Sequence, residues 1–174
     1  MKEFFDKLKI FSLNERVSLV GTVPLYHFSK TDEDSLTLDP EYFLKQRQHY
    51  SRNDYNISDM PRIFFYLNLD QAEGQVSQNA TLYSAEVPGS QIYNLYEDPL
   101  GLKKKSISPY RVTPDYDRIL RSLANKPRQS KYGDPPPSLL PEGSPYKGAY
   151  YNTSGLDIVV WFEPIKVTRR QNES

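Results

Sequence analysis

The apolar residues of this chain come in short alternating runs, and that pattern more than any other limits what it can fold into. "RVSLVG" (16–21), "PLYHFS" (24–29), "RIFFYLNL" (62–69), "TLYSAEV" (81–87), "QIYNLY" (91–96), "GAYYN" (148–152) and "LDIVVWFEPIKV" (156–167) are dense in β-branched and aromatic residues. Such runs predict strands. Two stretches break the pattern. "LDPEYFLKQRQHY" (38–50) and "TPDYDRILRSLAN" (113–125) have apolar residues at helical spacing. Asp39 and Thr113 are their expected N-caps, with Pro40 and Pro114 at the first helical positions. Strands interrupted by one early and one late helix read as α+β, with one or two packed sheets.

A chain of 174 residues suits one domain and can bury a core without covalent staples. Cysteine is absent, which removes disulfides, thiol nucleophiles and thiolate metal sites together. His27 and His49 are the only histidines, too few to build a histidine zinc site. The 22 basic and 22 acidic side chains cancel, so general nucleic-acid binding driven by charge is not expected. "KKK" at Lys103 to Lys105 reads as a solvated stretch.

The N-terminal "MKEFFDKLKIF" does not read as a signal peptide, and Phe4, Phe5, Leu8 and Phe11 predict a short amphipathic helix there. "IVVWF" is far too short to span a bilayer. A cytoplasmic protein without a membrane partner is the expectation. The sequons at Asn56, Asn79 and Asn152 then read as chance matches. The proline-rich stretch 126–147 reads as a long loop, either a lid or a plain connection. The expected divisions are 1–23, an N-terminal helix and lead-in strand; 24–167, the folded domain; and 168–174, a flexible tail.

No phosphate-cradling loop, Walker motif or nucleophile elbow is present. Candidate chemistry therefore rests on side chains that alternate along strands. In "LYHFS", Leu25, His27 and Ser29 share one face. Tyr26 and Phe28 share the other, more apolar face, which is expected to point to the core. In "RIFFYLN", Arg62, Phe64, Tyr66 and Asn68 oppose the wholly apolar Ile63, Phe65 and Leu67. In "LDIVVWFEP", Asp157, Val159, Trp161 and Glu163 oppose Leu156, Ile158, Val160 and Phe162. Each strand thus places a polar group on its less apolar face, and His27 and Tyr66 are expected to open onto one cleft. Tyr26, Phe28, Phe65, Val160 and Phe162 should lie buried behind it.

These segments in order, "LYHFS", "LTLDPEYF", "PRIFFYLN", "LYSAEVPGSQIYNLYEDPLGL" and "YKGAYYN" leading into "IVVWFEPIKV", resemble ADP-ribosyltransferase-like domains of the phage polyvalent and MuF-type toxin branch. The resemblance covers roughly Pro24 to Val167. It implies a split antiparallel β-sheet core with a few short helices, and NAD held as substrate in the cleft. By the same resemblance His27 would bond a ribose of NAD, with Ser29 beside it. Tyr66 would stack on nicotinamide, or Phe64 if the register slips by two. Trp161 would lie on the cofactor side, and Arg62 would pair with the pyrophosphate or simply be an exposed charge. The third position is normally a carboxylate on a later strand. Glu163 is the first candidate and Asp157 the second, because the usual glutamate motif is missing. The implied activity is transfer of ADP-ribose to a host protein or nucleic acid, in the host cytoplasm or from a virion. A catalytically inactive binding or virion-associated structural protein with the same fold is the alternative.

Overall fold

The computed structural model describes residues 17–29, 36–46, 60–74, 80–110, 112–126, 133, 137–141 and 144–170. The helix expected at Phe4–Phe11, the acidic stretch 31–35, the polar loop 51–59, half of the proline-rich stretch 126–147 and residues 171–174 lie outside these. In chain order the elements are β1 (Thr22–Ser29), β2 (Thr37–Leu38), α1 (Pro40–Gln46), β3 (Ile63–Tyr66), α2 (Leu69–Gly74), β4 (Thr81–Pro88), β5 (Ile92–Asn94), α3 (Leu102–Ser106), α4 (Tyr116–Ala124), β6 (Gly148–Thr153), β7 (Leu156–Trp161), β8 (Ile165–Lys166) and β9 (Thr168–Arg170). Among the described residues, no helix is long and apolar enough to cross a membrane.

The local chemistry explains most boundaries. Asp39 accepts the Glu41 amide at 3.0 Å and starts α1 at Pro40, as its sequence predicts. "RIFFYLNL" does not continue as a strand to Leu69. Asn68 Oδ1 accepts the Asp70 amide at 2.9 Å, turning the chain into α2. α4 starts two residues later than Thr113 and Pro114 suggest, because the Asp115 carboxylate accepts the Arg118 amide at 3.1 Å. Asn125 ends α4 in the left-handed conformation, with the Lys126 amide reaching back to Arg121 O at 3.0 Å. The turn expected at "TSG" is present: Ser154 and Gly155 both have positive φ and join β6 to β7 as a tight hairpin.

The architecture is α+β, built on a mixed sheet of order β5-β6-β7-β3-β1-β4-β9 and a two-stranded sheet β2-β8. It is not purely antiparallel, because β5 and β6 run parallel. Their connection holds α3 and α4, the kind of crossover that parallel neighbours require.

Pairing is uneven across the large sheet. β1 pairs β4 along its whole length, from Thr22↔Pro88 to Ser29↔Thr81. β3 pairs β7 from Ile63↔Trp161 to Tyr66↔Ile158. Between β1 and β3, Tyr26↔Tyr66 is the only paired position among the described residues. The sheet is therefore two half-sheets, β4-β1 with β9 and β3-β7-β6-β5, meeting at one point.

The β4–β5 connection shows how far they turn. These strands lie five steps apart in the sheet order yet are joined through only Gly89–Gln91. In a flat sheet five steps span about 24 Å, whereas the connector reaches at most about 15 Å. The half-sheets must curl toward each other to close that gap. Gly89 sits at the closure, its amide donating to Gly21 O at 2.7 Å.

Both faces are covered over β3, β7, β6 and β5, so two cores form, whereas the outer face of β1 and β4 carries the exposed Thr22, Pro24, Glu86 and Pro88. Leu25, Ile63, Phe65, Tyr83, Val159 and Trp161 pack with Leu38 and Ile165 of the small sheet and Phe43 of α1. On the other face Tyr93, Ala149, Val160 and Phe162 pack with Leu102 of α3 and Ile119, Leu120 and Leu123 of α4. Each such side chain contributes roughly 1.5–3 kcal/mol when fully buried. One polar hub anchors the second core. Asp98 accepts from the Tyr93 hydroxyl at 2.5 Å and from the Leu102 and Lys103 amides at 2.8 and 3.0 Å. Burial raises the Asp98 carboxyl pKa. The Tyr93 hydroxyl, these amides and the Lys103 charge outweigh burial and leave it below its ordinary value.

The curl makes a specific prediction. A Cβ on Gly89 would collide with the Leu19 carbonyl, whereas one on Gly74 meets nothing within 4 Å. Gly89→Ala is expected to cost about 1–3 kcal/mol in chemical denaturation, by overpacking against backbone. Gly74→Ala should stay within about 0.5 kcal/mol of wild type. Equal effects at the two positions would mean that the β4–β5 closure is not tight.

Candidate functional site

His27 lies at the seam between the half-sheets. Its Nδ1 is 2.8 Å from the Phe64 carbonyl oxygen on β3. A carbonyl only accepts, so Nδ1 carries a proton and donates to it. The imidazole packs edge-on to Phe43 of α1, with centroids 5.1 Å apart, and tilts against Phe65 at 5.5 Å. Only 6% of the residue is exposed.

Register decides which predicted residues can meet. Tyr26 faces Tyr66 across the seam, so one step along His27 is opposite Phe65 and Phe28 opposite Phe64. His27 and Tyr66 therefore occupy opposite faces of the sheet, and the shared cleft expected from alternation is not formed. Leu25, His27 and Ser29 face the first core, while Tyr26 and Phe28 are only half-buried. Phe65 is buried as expected, but on the face opposite Val160 and Phe162. The expectation failed for a physical reason. β1 buries the face that carries the polar His27 and Ser29 and leaves the aromatic Tyr26 and Phe28 half-buried on the other, so polarity alone picks the wrong inward face.

The same register places Asp157 and Trp161 on the His27 face, and Arg62, Phe64 and Tyr66 on the other. Arg62 is not an exposed strand-start charge. It is buried, donates to Met60 O at 2.9 Å and lies over the Phe64 ring at 5.4 Å. The Tyr66 hydroxyl has a raised pKa because it is partly buried. Trp161 is a core residue packed over Gly148, where no side chain fits beneath the indole. Its buried Nε1 has no hydrogen-bond partner among the described residues. Ser29 is buried on the His27 face, opposite Thr81 in β4.

The two candidate acids sit in different settings. Asp157 Oδ1 accepts from the Tyr150 hydroxyl at 2.7 Å and from Asn152 Nδ2 at 3.0 Å. Its Oδ2 faces Gln71 Nε2 at 3.3 Å, and its amide donates to Gln71 Oε1 at 2.9 Å. This carboxylate ties the β6–β7 hairpin to α2. Burial, then the Asp157 hydrogen bond and charge, push the Tyr150 hydroxyl pKa up. Glu163 lies beyond the end of β7, with 53% of its side chain exposed and Lys147 Nζ at 3.4 Å. Asp157 is two strands from β1 and one row away from His27, about 12 Å by strand geometry. Glu163 lies farther off, so neither acid reaches the imidazole.

Sequence reasoning missed a surface cavity of about 540 Å³ lined by Leu19, Ser90, Ile92, Asn94, Glu97 and Tyr146, among others. That volume is in the range of small-molecule sites. None of the residues named from sequence lines it. Its signal was present only as turn residues in "EVPGSQ" and "EDPLGL", which place the cavity walls without marking them as a site. Phe43, the ring against His27, was legible only as a helix residue. Among the described residues, no group of three or more His, Asp or Glu is arranged to hold a metal ion. Comparison with models of known protein families, with curated proteins and with solved structures finds no match.

The settings of the two acids predict different losses. Asp157→Ala would strand the buried Tyr150 hydroxyl and should cost about 1–3 kcal/mol. Asp157→Asn keeps an acceptor oxygen and should cost less. Glu163→Gln should leave the unfolding midpoint unchanged, because its ion pair is exposed. A large loss for Glu163→Gln with none for Asp157→Ala would reverse this assignment of structural roles.

Proposed function

We propose that the chain is an ADP-ribosyltransferase-like domain that takes NAD at the seam between its half-sheets. The observation that carries this reading is His27. It is the residue matched by the sequence resemblance, and its Nδ1–H is fixed on a backbone carbonyl across the one weakly paired junction of the sheet. In the neutral ring Nε2 would be left to accept from a ribose hydroxyl. Nε2 is buried and Phe43 packs on the ring, so a dinucleotide would have to displace that packing while the bond to Phe64 O holds the half-sheets together. In the transfer step the bond from ribose C1′ to the nicotinamide nitrogen breaks, and nicotinamide leaves with the electron pair. An acceptor nucleophile then bonds to C1′ and loses its proton. A carboxylate near the ribose would stabilise the cation-like transition state.

A second reading is favoured by the placement of the acids. Asp157 is engaged by Tyr150, Asn152 and Gln71, and Glu163 stands exposed beyond the strand. In this reading the domain binds NAD or a related nucleotide without turning it over. It would then act as a binding protein or virion-associated subunit.

Calorimetric titration with NAD, paired with an assay for released nicotinamide, separates the two. NAD binding is expected for wild type and should weaken at least tenfold in His27→Asn, which loses the ring but retains a polar side chain. His27→Asn is to be compared at a temperature where circular dichroism shows it folded. Binding with release supports transferase activity, and binding without release supports the second reading. If NAD does not bind wild type at all, the seam is not an NAD site and both readings fail.

A further inference from the structure

We propose that the module built around α3 is a docking surface for anionic phospholipid. Eight large hydrophobic residues are exposed among the described residues, and five of them, Tyr96, Leu100, Ile107, Tyr110 and Val112, fall within this one stretch. Scattered exposed apolar residues are ordinary, but clustering of this kind marks a contact surface. Tyr110 is 96% exposed and Val112 95%, so neither packs on the domain.

Hydrogen bonds hold the module together. Asp98 accepts the Leu102 and Lys103 amides and so joins the Tyr96–Leu100 turn to the start of α3. At the other end Ser106 Oγ donates to Lys103 O at 2.8 Å and accepts the Asp115 amide at 3.0 Å. This pins both ends of the loop that carries Tyr110 and Val112. α3 lies between the two exposed groups in sequence and is short, five residues or about 7.5 Å of helix.

Charge selects the partner. "KKKSISPYRV" (103–112) carries four of the 22 basic side chains and none of the 22 acidic ones, so the rest of the chain is net acidic by four. Lys104 and Lys105 are exposed. Asp98 and Asp115 are turned onto backbone amides, which leaves Glu97 as the exposed acid of the Tyr96–Leu100 turn against the exposed Lys104 and Lys105. Tyr96 and Tyr110 offer ring faces on which a base could stack, but the other three exposed tips, Leu100, Ile107 and Val112, are aliphatic and suit acyl chains better than bases. Apolar tips flanked by tyrosines and by lysines that reach outward suit the boundary of headgroups and acyl chains. Such a contact lies on a membrane and needs no spanning segment, in keeping with the absence of a long apolar helix among the described residues.

The test is co-sedimentation of the full chain with vesicles of phosphatidylcholine alone or mixed with phosphatidylserine. Binding is expected only with phosphatidylserine, weakening as salt is raised. Tyr110→Asp together with Val112→Asp should abolish it without changing the unfolding midpoint, because neither residue packs on the domain. Lys104→Gln and Lys105→Gln should each reduce partitioning about fivefold. Failure to bind phosphatidylserine vesicles overturns the proposal, as does binding that these variants leave unchanged. Variant-sensitive binding to a single-stranded oligonucleotide with none to vesicles also overturns it and assigns the surface to nucleic acid.

Discussion

A single backbone carbonyl, Phe64 O, receives the His27 imidazole where the large sheet is least continuous. On either side of that point ladders of paired residues run unbroken, β1 with β4 and β3 with β7. Beside the imidazole's hydrogen bond, among the described residues, Tyr26↔Tyr66 is the one paired position between β1 and β3. A hydrogen bond of this kind is worth roughly 0.5–1.5 kcal/mol net, modest beside the cores. Its importance is geometric, because it fixes how the two half-sheets meet. The short β4–β5 connection demands that they curl, and the seam is where the bend can be taken up.

That constraint also orders the layers. Different elements cover the two faces of the curled sheet. α1 and the β2-β8 pair cover the His27 side, and α3 and α4 cover the other side over β3, β7, β6 and β5. Polar groups then become tie points between layers. Asp157 links the β6–β7 hairpin to α2, and Asp98 links β5 to the start of α3. In both cases a tyrosine hydroxyl donates to the carboxylate, and burial together with that bond raises the tyrosine pKa. The abundance of tyrosine in the chain is partly explained by this use, since the ring fills a core while the hydroxyl satisfies an acid.

Much of the secondary structure was legible in the sequence because its causes are local. Asp39-Pro40 starts a helix and Ser154-Gly155 turns a hairpin whatever surrounds them. Asn68 was equally local, yet the apolar density of "RIFFYLNL" masked its role as a cap. The site was less legible. Alternation correctly sorted the side chains of β1, β3 and β7 into two sets each. It does not reveal which sets share a face, since that depends on the register of strands far apart in sequence. Hence His27 was paired with Tyr66 when its face belongs to Phe65, Asp157 and Trp161. The fates of the two acids were also nonlocal, set by Gln71 for one and by the end of β7 for the other.

The seam and its proposed use depend on the state of one imidazole, and nitrogen-15 NMR of histidine-labelled protein reads it directly. The chain has only two histidines, so His49→Gln leaves one set of ring signals. At neutral pH His27 is expected to carry its proton on Nδ1, and its Nε2 resonance to move when NAD is added. An Nε2–H tautomer would contradict the bond to Phe64 O, and an Nε2 resonance unmoved by saturating NAD would contradict the seam as its binding site.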